Sequence, residues 1–379
     1  MEMESASVVL GSKEEGGTSL VPMLVSANAV LWLALLVLSF LLTIPVALRY
    51  EKSSSLTLVD GKLAADFEKH VAKHHPYSER SLNSWAALEL AVLGSGKPGV
   101  VIGDDGWLFT NEEFPLPSQR AKTLEKNLAQ IRSTVEALRA KGLEVVILPI
   151  PGKAEVYRDK VPAELRDHIL PTSAVTGYLT RHGIPWVGLD EALQQARARG
   201  QDTFFRSETH WTPTGSRIAA AAVARWAQTD GHVRWEARPY TVQPVKAQPL
   251  ESDLENYVPV RPTFAGLLPP PESYTSYVVS SAATANDAGA LFGDAGNPVA
   301  LVGTSYSADE RWNFTGWLRS SLQTEIDNIS EKGKGPFAPM EKFLEKLEAG
   351  KTAPRLVIWE MPVRSVAMDY TPRKSYFAQ

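Results

Sequence analysis

The chain of 379 residues contains no cysteine. That excludes a disulfide scaffold, a thiol nucleophile and a cysteine-ligated zinc site. It also lacks a dominant charge, since 39 basic and 43 acidic residues leave a formal net charge of −4. A nucleic-acid binder would carry a basic face, and an acidic disordered tail would carry a like-charge run, so neither class fits. There is no internal repeat. Gly94-Ser95-Gly96 is followed by Lys97-Pro98, which lacks the Gly-Lys-Ser/Thr form of a phosphate-binding loop. His70 and His74 stand four apart in a Lys-rich stretch, where a solvated histidine- and lysine-rich face is expected and no metal. What remains is 44% hydrophobic and 22% charged, enough for one or two domains with a sizeable core. The 10 tryptophans suit core packing first and sugar-stacking surfaces second.

One long hydrophobic run is present. Between Glu15 and Arg49 no residue is charged, and Met23 to Leu48 is apolar throughout its centre. About 20 such residues span a bilayer core. A cleaved signal peptide would have a shorter apolar region and small residues at its cut. Pro45-Val46-Ala47 makes a poor cut site, so the run is expected to be an uncleaved single-pass anchor, with a helix stop near Pro45. The expected layout is a tail (1–22), a transmembrane signal anchor (23–48) and a catalytic domain (49–379). The flanking charges, Lys13 against Arg49 and Lys52, are too few to fix orientation by the positive-inside rule.

The rest has an α/β pattern. Glu144–Ile150, Pro185–Leu189, Pro298–Val302 and Arg355–Trp359 are expected strands. Between them, helices are expected at about 119–141 (with Ser118 as N-cap), 214–230, 317–330 and 340–349, and Asp190 is expected to cap another. Strands spaced by helices imply a mainly parallel sheet covered on both faces, with its site at the carboxyl ends of the strands. Val100 to Phe109 is expected to be a hairpin turning at Asp105-Gly106. Residues of about 233–297, rich in Pro, Tyr, Ser and Ala, are an expected irregular insertion.

Two segments could carry chemistry. In Glu208-Thr209-His210-Trp211-Thr212-Pro213, Thr212 and Pro213 begin a helix, which leaves Glu208 and His210 in the loop before it. A carboxylate on one imidazole nitrogen would leave the other free as a base. In Leu301-Val302-Gly303-Thr304-Ser305 a strand runs into a turn that would expose the Ser305 hydroxyl beside backbone N–H donors. Lys153, after Pro149-Ile150-Pro151-Gly152, and Arg364, after Trp359-Glu360-Met361-Pro362-Val363, also follow strands and could line a site.

Six pieces in order resemble one family: Gly103-Asp104-Asp105-Gly106-Trp107-Leu108-Phe109; Pro149-Ile150-Pro151-Gly152-Lys153 with Tyr157; Thr209-His210-Trp211-Thr212-Pro213; Val302-Gly303-Thr304-Ser305-Tyr306-Ser307; Trp312-Asn313-Phe314; and Trp359-Glu360-Met361-Pro362 with Arg364. Over about residues 75–370 the chain resembles the SGNH hydrolase-like alginate O-acetyltransferases of the AlgJ and AlgX type. The resemblance implies a three-layer α/β sandwich with a permuted motif order, in which the serine follows the histidine. It implies Ser305 as nucleophile, His210 as base and Glu208 as the acid, where the family has Asp and Glu is one methylene longer. Tyr306, Lys153, Asn313, Arg364 and Trp211 become candidates for substrate or oxyanion contacts, and Trp107, Trp211 and Trp312 for sugar-facing aromatics. The implied activity is acetyl transfer to hydroxyls of an exported polysaccharide, without a cofactor, using acetyl supplied by a membrane-bound O-acyltransferase. With little chain after Arg364, the expected architecture is the inner-membrane-anchored AlgJ type, with the tail in the cytoplasm and the catalytic domain in the periplasm. Two alternatives stand beside it: a carbohydrate acetylesterase with the same triad, and a non-catalytic scaffold of a secretion complex.

Overall fold

The computed structural model describes residues 20–51, 60–115, 117–281 and 297–370. Residues 1–19 of the expected tail and 282–296 of the expected insertion lie outside them. The chain divides into two units, Met1–Leu82 and Asn83–Gln379.

In the first unit, helix α1 (Leu20–Leu48) runs through Pro45 to Leu48, slightly beyond the expected stop. Its Asn28–Leu48 stretch has a mean hydropathy of 2.6 and is almost wholly unburied, which is long and apolar enough to cross a membrane. Helix α2 (Lys62–His74) is tied to the end of α1 through His70 Nε2, 3.2 Å from the Val46 carbonyl. His74 Nδ1 lies 2.8 Å from the His70 carbonyl, so both rings are engaged with backbone.

The second unit opens with helix α3 (Ser78–Leu88), which begins in the first. The expected hairpin follows as β1 (Val100–Ile102) and β2 (Leu108–Thr110). Asp105 and Gly106, both with positive φ (54° and 74°), make its turn. The central sheet has four parallel strands in the order β3-β8-β6-β7, where β3 is Glu144–Ile150, β6 Val299–Val302, β7 Ile326–Asn328 and β8 Leu356–Pro362.

Strand alternation sorts side chains into two cores. Val146, Leu148, Val299, Leu301 and Ile358 point to one face, against Leu193, Ala219, Val223, Phe314 and Leu318 from three helices. Val145, Ile147, Ala300, Val302 and Val357 point to the other, against Ile131, Val135, Leu179, Met340 and Phe343. The result is helix, sheet, helix. Each buried aliphatic side chain contributes roughly 1.5–3 kcal/mol to it.

Four local expectations are corrected. Pro185–Leu189 is not a full strand: it meets β3 through a single bridge at Trp186, with Ile147 N–H on the Pro185 carbonyl and Val187 N–H on the Ile147 carbonyl, each at 2.9 Å. Pro185 has no N–H with which to extend that ladder. Asp190 is the first residue of its helix (Asp190–Ala198), with Leu189 at the cap position, and its carboxylate is hydrogen-bonded to Thr172. Ser118 lies inside the helix Pro117–Ala140, which proline opens. The expected helix at 317–330 stops at Leu322, where Gln323 takes a left-handed conformation (φ 52°), and Ile326–Asn328 leaves it to become the sheet edge β7. The apolar spacing of Leu318, Leu322, Ile326 and Ile329 is that of a helix, and hydrogen bonding to β6 overrides it from Ile326 onward.

The insertion is more ordered than its composition implies. It carries an antiparallel ribbon, β4 (Tyr240–Pro249) with β5 (Ser273–Ser281), irregular between Pro244 and Ala247. Tyr277 of the ribbon packs edge-on against Trp317, with ring centroids 4.8 Å apart.

Candidate active site

Strand β6 is buried along its whole length and delivers the chain to Gly303, Thr304 and Ser305 at its carboxyl end. There a short helical turn, Ser305–Ala308, begins with Thr304 as its cap. A side chain at Gly303 would run into the Glu360 carboxylate, so glycine is required by close approach. Glu360, near the end of β8 and wholly buried, accepts from the Thr304 N–H (2.7 Å), the Thr304 hydroxyl (3.0 Å) and the Ser307 hydroxyl (2.8 Å). Burial raises its pKa above the ordinary carboxylate value, against the pull of those three bonds.

The histidine loop, residues 206–210, is built differently. It leaves the Phe204–Trp211 bridge and has no ladder of its own. Side chains from elsewhere take up its backbone groups instead. Glu272 accepts from the N–H groups of Arg206 (2.9 Å) and Ser207 (2.8 Å). Asp253 accepts from the Thr209 N–H (2.9 Å) and hydroxyl (2.5 Å). Lys153 Nζ donates to the carbonyls of Arg206 (2.8 Å), Glu208 (3.0 Å) and Leu108 (2.5 Å). The Tyr306 hydroxyl donates to the Thr209 carbonyl at 3.0 Å. Immediately after the loop, Thr212 caps the helix Pro213–Thr229, accepting from Gly215 N–H at 3.1 Å.

These two constructions bring three predicted residues into one line. His210 Nε2 lies 2.7 Å from Ser305 Oγ. His210 Nδ1 lies 2.9 and 3.0 Å from the two Glu208 carboxylate oxygens. Glu208 is buried, which opposes its ionisation, but His210 and the Arg311 guanidinium (3.8 Å) hold its pKa below the ordinary value. The extra methylene of Glu is absorbed by a fold-back in which the same carboxylate accepts the His210 backbone N–H at 2.5 Å. Arg311 lies over Trp312 (4.5 Å) and also pairs with Asp309 at 2.8 Å. Ser305 and His210 open onto a cleft of about 510 Å³, lined also by Asp253, Tyr257, Arg364 and Tyr370.

The other expected contacts divide. Arg364 lines this cleft, donating Nε to Glu112 (3.0 Å) and Nη1 to the Tyr306 hydroxyl (2.9 Å). Tyr306 is buried behind His210 and does not line the cleft, and burial raises its pKa. Lys153 is corrected from a cleft residue to a buried one, because all its donors are spent on carbonyls beneath the loop. Burial lowers its pKa to about 8, partly offset by Glu113, Glu272, Asp253 and Glu208. Asn313 does not line the cleft either. It sits at φ 53°, a conformation Asn tolerates, at the start of the helix Phe314–Leu322. None of the three tryptophans faces the cleft, so the sugar-stacking expectation is corrected. Trp107 stacks on Tyr157 at 4.0 Å, Trp211 is wedged between Tyr306 and Phe314, and Trp312 stacks beneath His210 at 5.5 Å. Tyr257 and Tyr370 are the aromatics at the cleft wall.

Glu360, Asp253 and Glu272 were missed as site residues. Glu360 had a signal, being a carboxylate at the carboxyl end of a parallel strand. Asp253 and Glu272 lie in the insertion, without a pattern to mark them. Glu208, His210 and Asp253 could together approach a cation, as their ligand atoms lie within 4.8 Å of one another. Glu208 is turned to His210, however, and Asp253 to Thr209.

Comparison with known proteins places the chain among relatives of known description. The profile of a family described as SGNH hydrolase-like domain, acetyltransferase AlgX, matches residues 100–363. The probable alginate O-acetylase AlgJ of Azotobacter vinelandii is 38% identical over 326 residues, covering 85% of this chain and 83% of that protein. Its counterpart in Pseudomonas putida is 36% identical, covering 84% and 83%. The solved O-acetyltransferase domain of Pseudomonas putida AlgJ aligns with a TM-score of 0.63 at 32% identity, over 73% of this chain and 94% of that one. Pseudomonas aeruginosa AlgX shares the fold with a TM-score of 0.53 at 20% identity, over 71% of this chain and 63% of that one.

Proposed function

Because the chain belongs to the SGNH hydrolase-like domain family of the acetyltransferase AlgX, we propose that it acetylates hydroxyls of an exported, alginate-like polysaccharide through Ser305, His210 and Glu208. The observation that carries this reading is the relay from Glu208 through His210 to Ser305, ending at 2.7 Å in an open cleft. His210 Nε2 takes the Ser305 proton as Oγ bonds to the carbonyl carbon of an acetyl donor. Glu208 on Nδ1 fixes the tautomer and stabilises the imidazolium. The oxyanion meets the Ser305 N–H at the start of the helical turn and the positive field of Arg364. One such donor is worth about 10²–10³ in rate. Collapse of the intermediate breaks the bond to the donor's leaving group, which takes the proton from His210 and leaves the acetyl ester on Ser305. A sugar hydroxyl then gives its proton to Nε2, bonds to the acetyl carbon and releases Ser305, whose Oγ recovers that proton.

Among the described residues no partner takes Nη2 of Arg364, which leaves it to pair with a uronate carboxylate in the cleft. The acetyl source is a membrane-bound O-acyltransferase, a reading supported by the family resemblance and by the apolar α1. In the same reading α1 anchors the protein in the inner membrane with the second unit in the periplasm.

The test is the fate of acetyl from an activated ester in the presence of a polymannuronate acceptor. Acetyl is expected on the polymer, and Ser305→Ala should lower turnover by about 10⁶. Acetyl released only as acetate would instead favour an esterase, and full acetylation of the polymer in cells carrying the Ser305→Ala, His210→Ala variant would favour a non-catalytic scaffold.

A further inference from the structure

Helix α3 and the turn that continues it through Leu93 have an inverted polarity. The face that packs on the domain is made of small or polar residues together with half-buried Leu90. Ala86 and Ala87 join a cluster with Leu108, Leu254, Val258 and Leu268, and Asn83 donates to the Arg261 carbonyl at 3.1 Å. The outward face carries the large apolar side chains: Trp85 is 60% exposed, Leu88 52%, Val92 68% and Leu93 70%. The loop held by Asn83 adds exposed Phe264 and Leu267. From Asn83 to Gly94 the one charged residue is Glu89, and it is half-buried. Charges resume outside the stretch, at Glu79 and Arg80 before it and at Lys97 after it. Single exposed leucines are ordinary, whereas an uncharged ridge of this kind marks an interaction surface.

We propose that this ridge lies in the interfacial layer of the bilayer that α1 enters. The proposal rests on reading α1 as the anchor. It commits to lipid because the ridge belongs to the chain that leaves α1 at Leu48, and because it presents Trp85 among aliphatic side chains. Tryptophan, with an apolar body and one N–H, favours that depth. A helix immersed only on its outer face buries its apolar side by roughly 5–10 Å. The consequence is a catalytic unit held against the membrane by two attachments rather than swinging on one.

The absence of cysteine makes the test direct. Val92→Cys, Leu93→Cys, Val37→Cys and Lys122→Cys each give a single site for a nitroxide label in the full chain, reconstituted in anionic lipid nanodiscs. Collisional relaxation is then measured with oxygen, which concentrates in lipid, and with a water-soluble nickel chelate. Labels at Val92 and Leu93 are expected to follow Val37, relaxed mainly by oxygen, with Lys122 showing the opposite order. Nickel-dominated relaxation at both Val92 and Leu93 overturns the proposal. Shielding of both from either reagent also overturns it, because protein rather than lipid would then cover the ridge. A nickel-dominated Val37 overturns the anchor reading itself, and the proposal with it.

Discussion

The serine turn and the histidine loop meet within 2.7 Å, yet they are held in opposite ways. The turn is a product of its own neighbourhood: a buried parallel strand, a glycine where β8 crowds in, a threonine cap and one carboxylate from the adjacent strand. The loop owes little to local secondary structure. The N–H groups of Arg206, Ser207 and Thr209 rest on Glu272 and Asp253 from the insertion, that of His210 rests on Glu208 within the loop, and two carbonyls rest on Lys153 just after β3. A site can therefore place its nucleophile by sheet topology and its base by a cage of distant charges. The two halves should fail differently.

The largest expected effect lies in the link between them. Glu208→Gln should keep the fold and leave the imidazole in the wrong tautomer, lowering turnover by up to about 10⁴. Glu208→Asp should recover only part of this, because the fold-back onto the His210 N–H uses the longer arm. Steady-state turnover of an activated ester by the three proteins checks both. Next is the cage. Lys153→Met keeps the length of the side chain but leaves three carbonyls short of a donor, and a displacement of His210 by about 1 Å should cost about 10² in turnover. Glu360→Gln sharpens the contrast. It replaces one of the two accepting oxygens by an NH2 that cannot accept, and should destabilise the protein by about 1.5–3 kcal/mol by chemical melting, with less loss of turnover than Lys153→Met.

The smallest effect is one of pH. Asp309, opposed by burial but paired with Arg311 and Lys332, is held at about 2 against an ordinary 3.8. Its folded value is depressed, so its contribution is fully present above the ordinary value and is lost as the pH falls from there through about 2. Melting temperature between pH 5 and 2 should fall more steeply for the wild type than for Asp309→Asn, which starts lower at neutral pH.

The same contrast sets what was legible in the sequence. Strand-to-glycine-to-serine is a local pattern that made Ser305 a candidate, and the histidine motif and the family resemblance together singled it out. Thr212-Pro213 marked a helix start, and so placed Glu208 and His210 in a loop. Nothing local marked Asp253 or Glu272, which reach the loop from a proline-rich insertion, and Lys153 was assigned to the cleft although its ammonium points beneath it. The tryptophans misled for a related reason: their motif positions identify the family, but ring packing against Tyr157, Phe314 and His210 turns them inward. The sheet was read correctly where strands are buried on both faces. It was misread at its two edges, Pro185–Leu189 and Ile326–Asn328, where short segments pair on one side only.

The account stands on Ser305 as an acetyl carrier between donor and sugar. The most direct measurement is intact and peptide mass spectrometry after brief mixing with an activated acetyl ester, with and without polymannuronate. The account predicts one acetyl group on the peptide containing Ser305, discharged onto the polymer when polymannuronate is added and absent from Ser305→Ala. Polymer acetylation by Ser305→Ala at the wild-type rate, or a stable acetyl group on another residue that turns over onto the polymer, would contradict it.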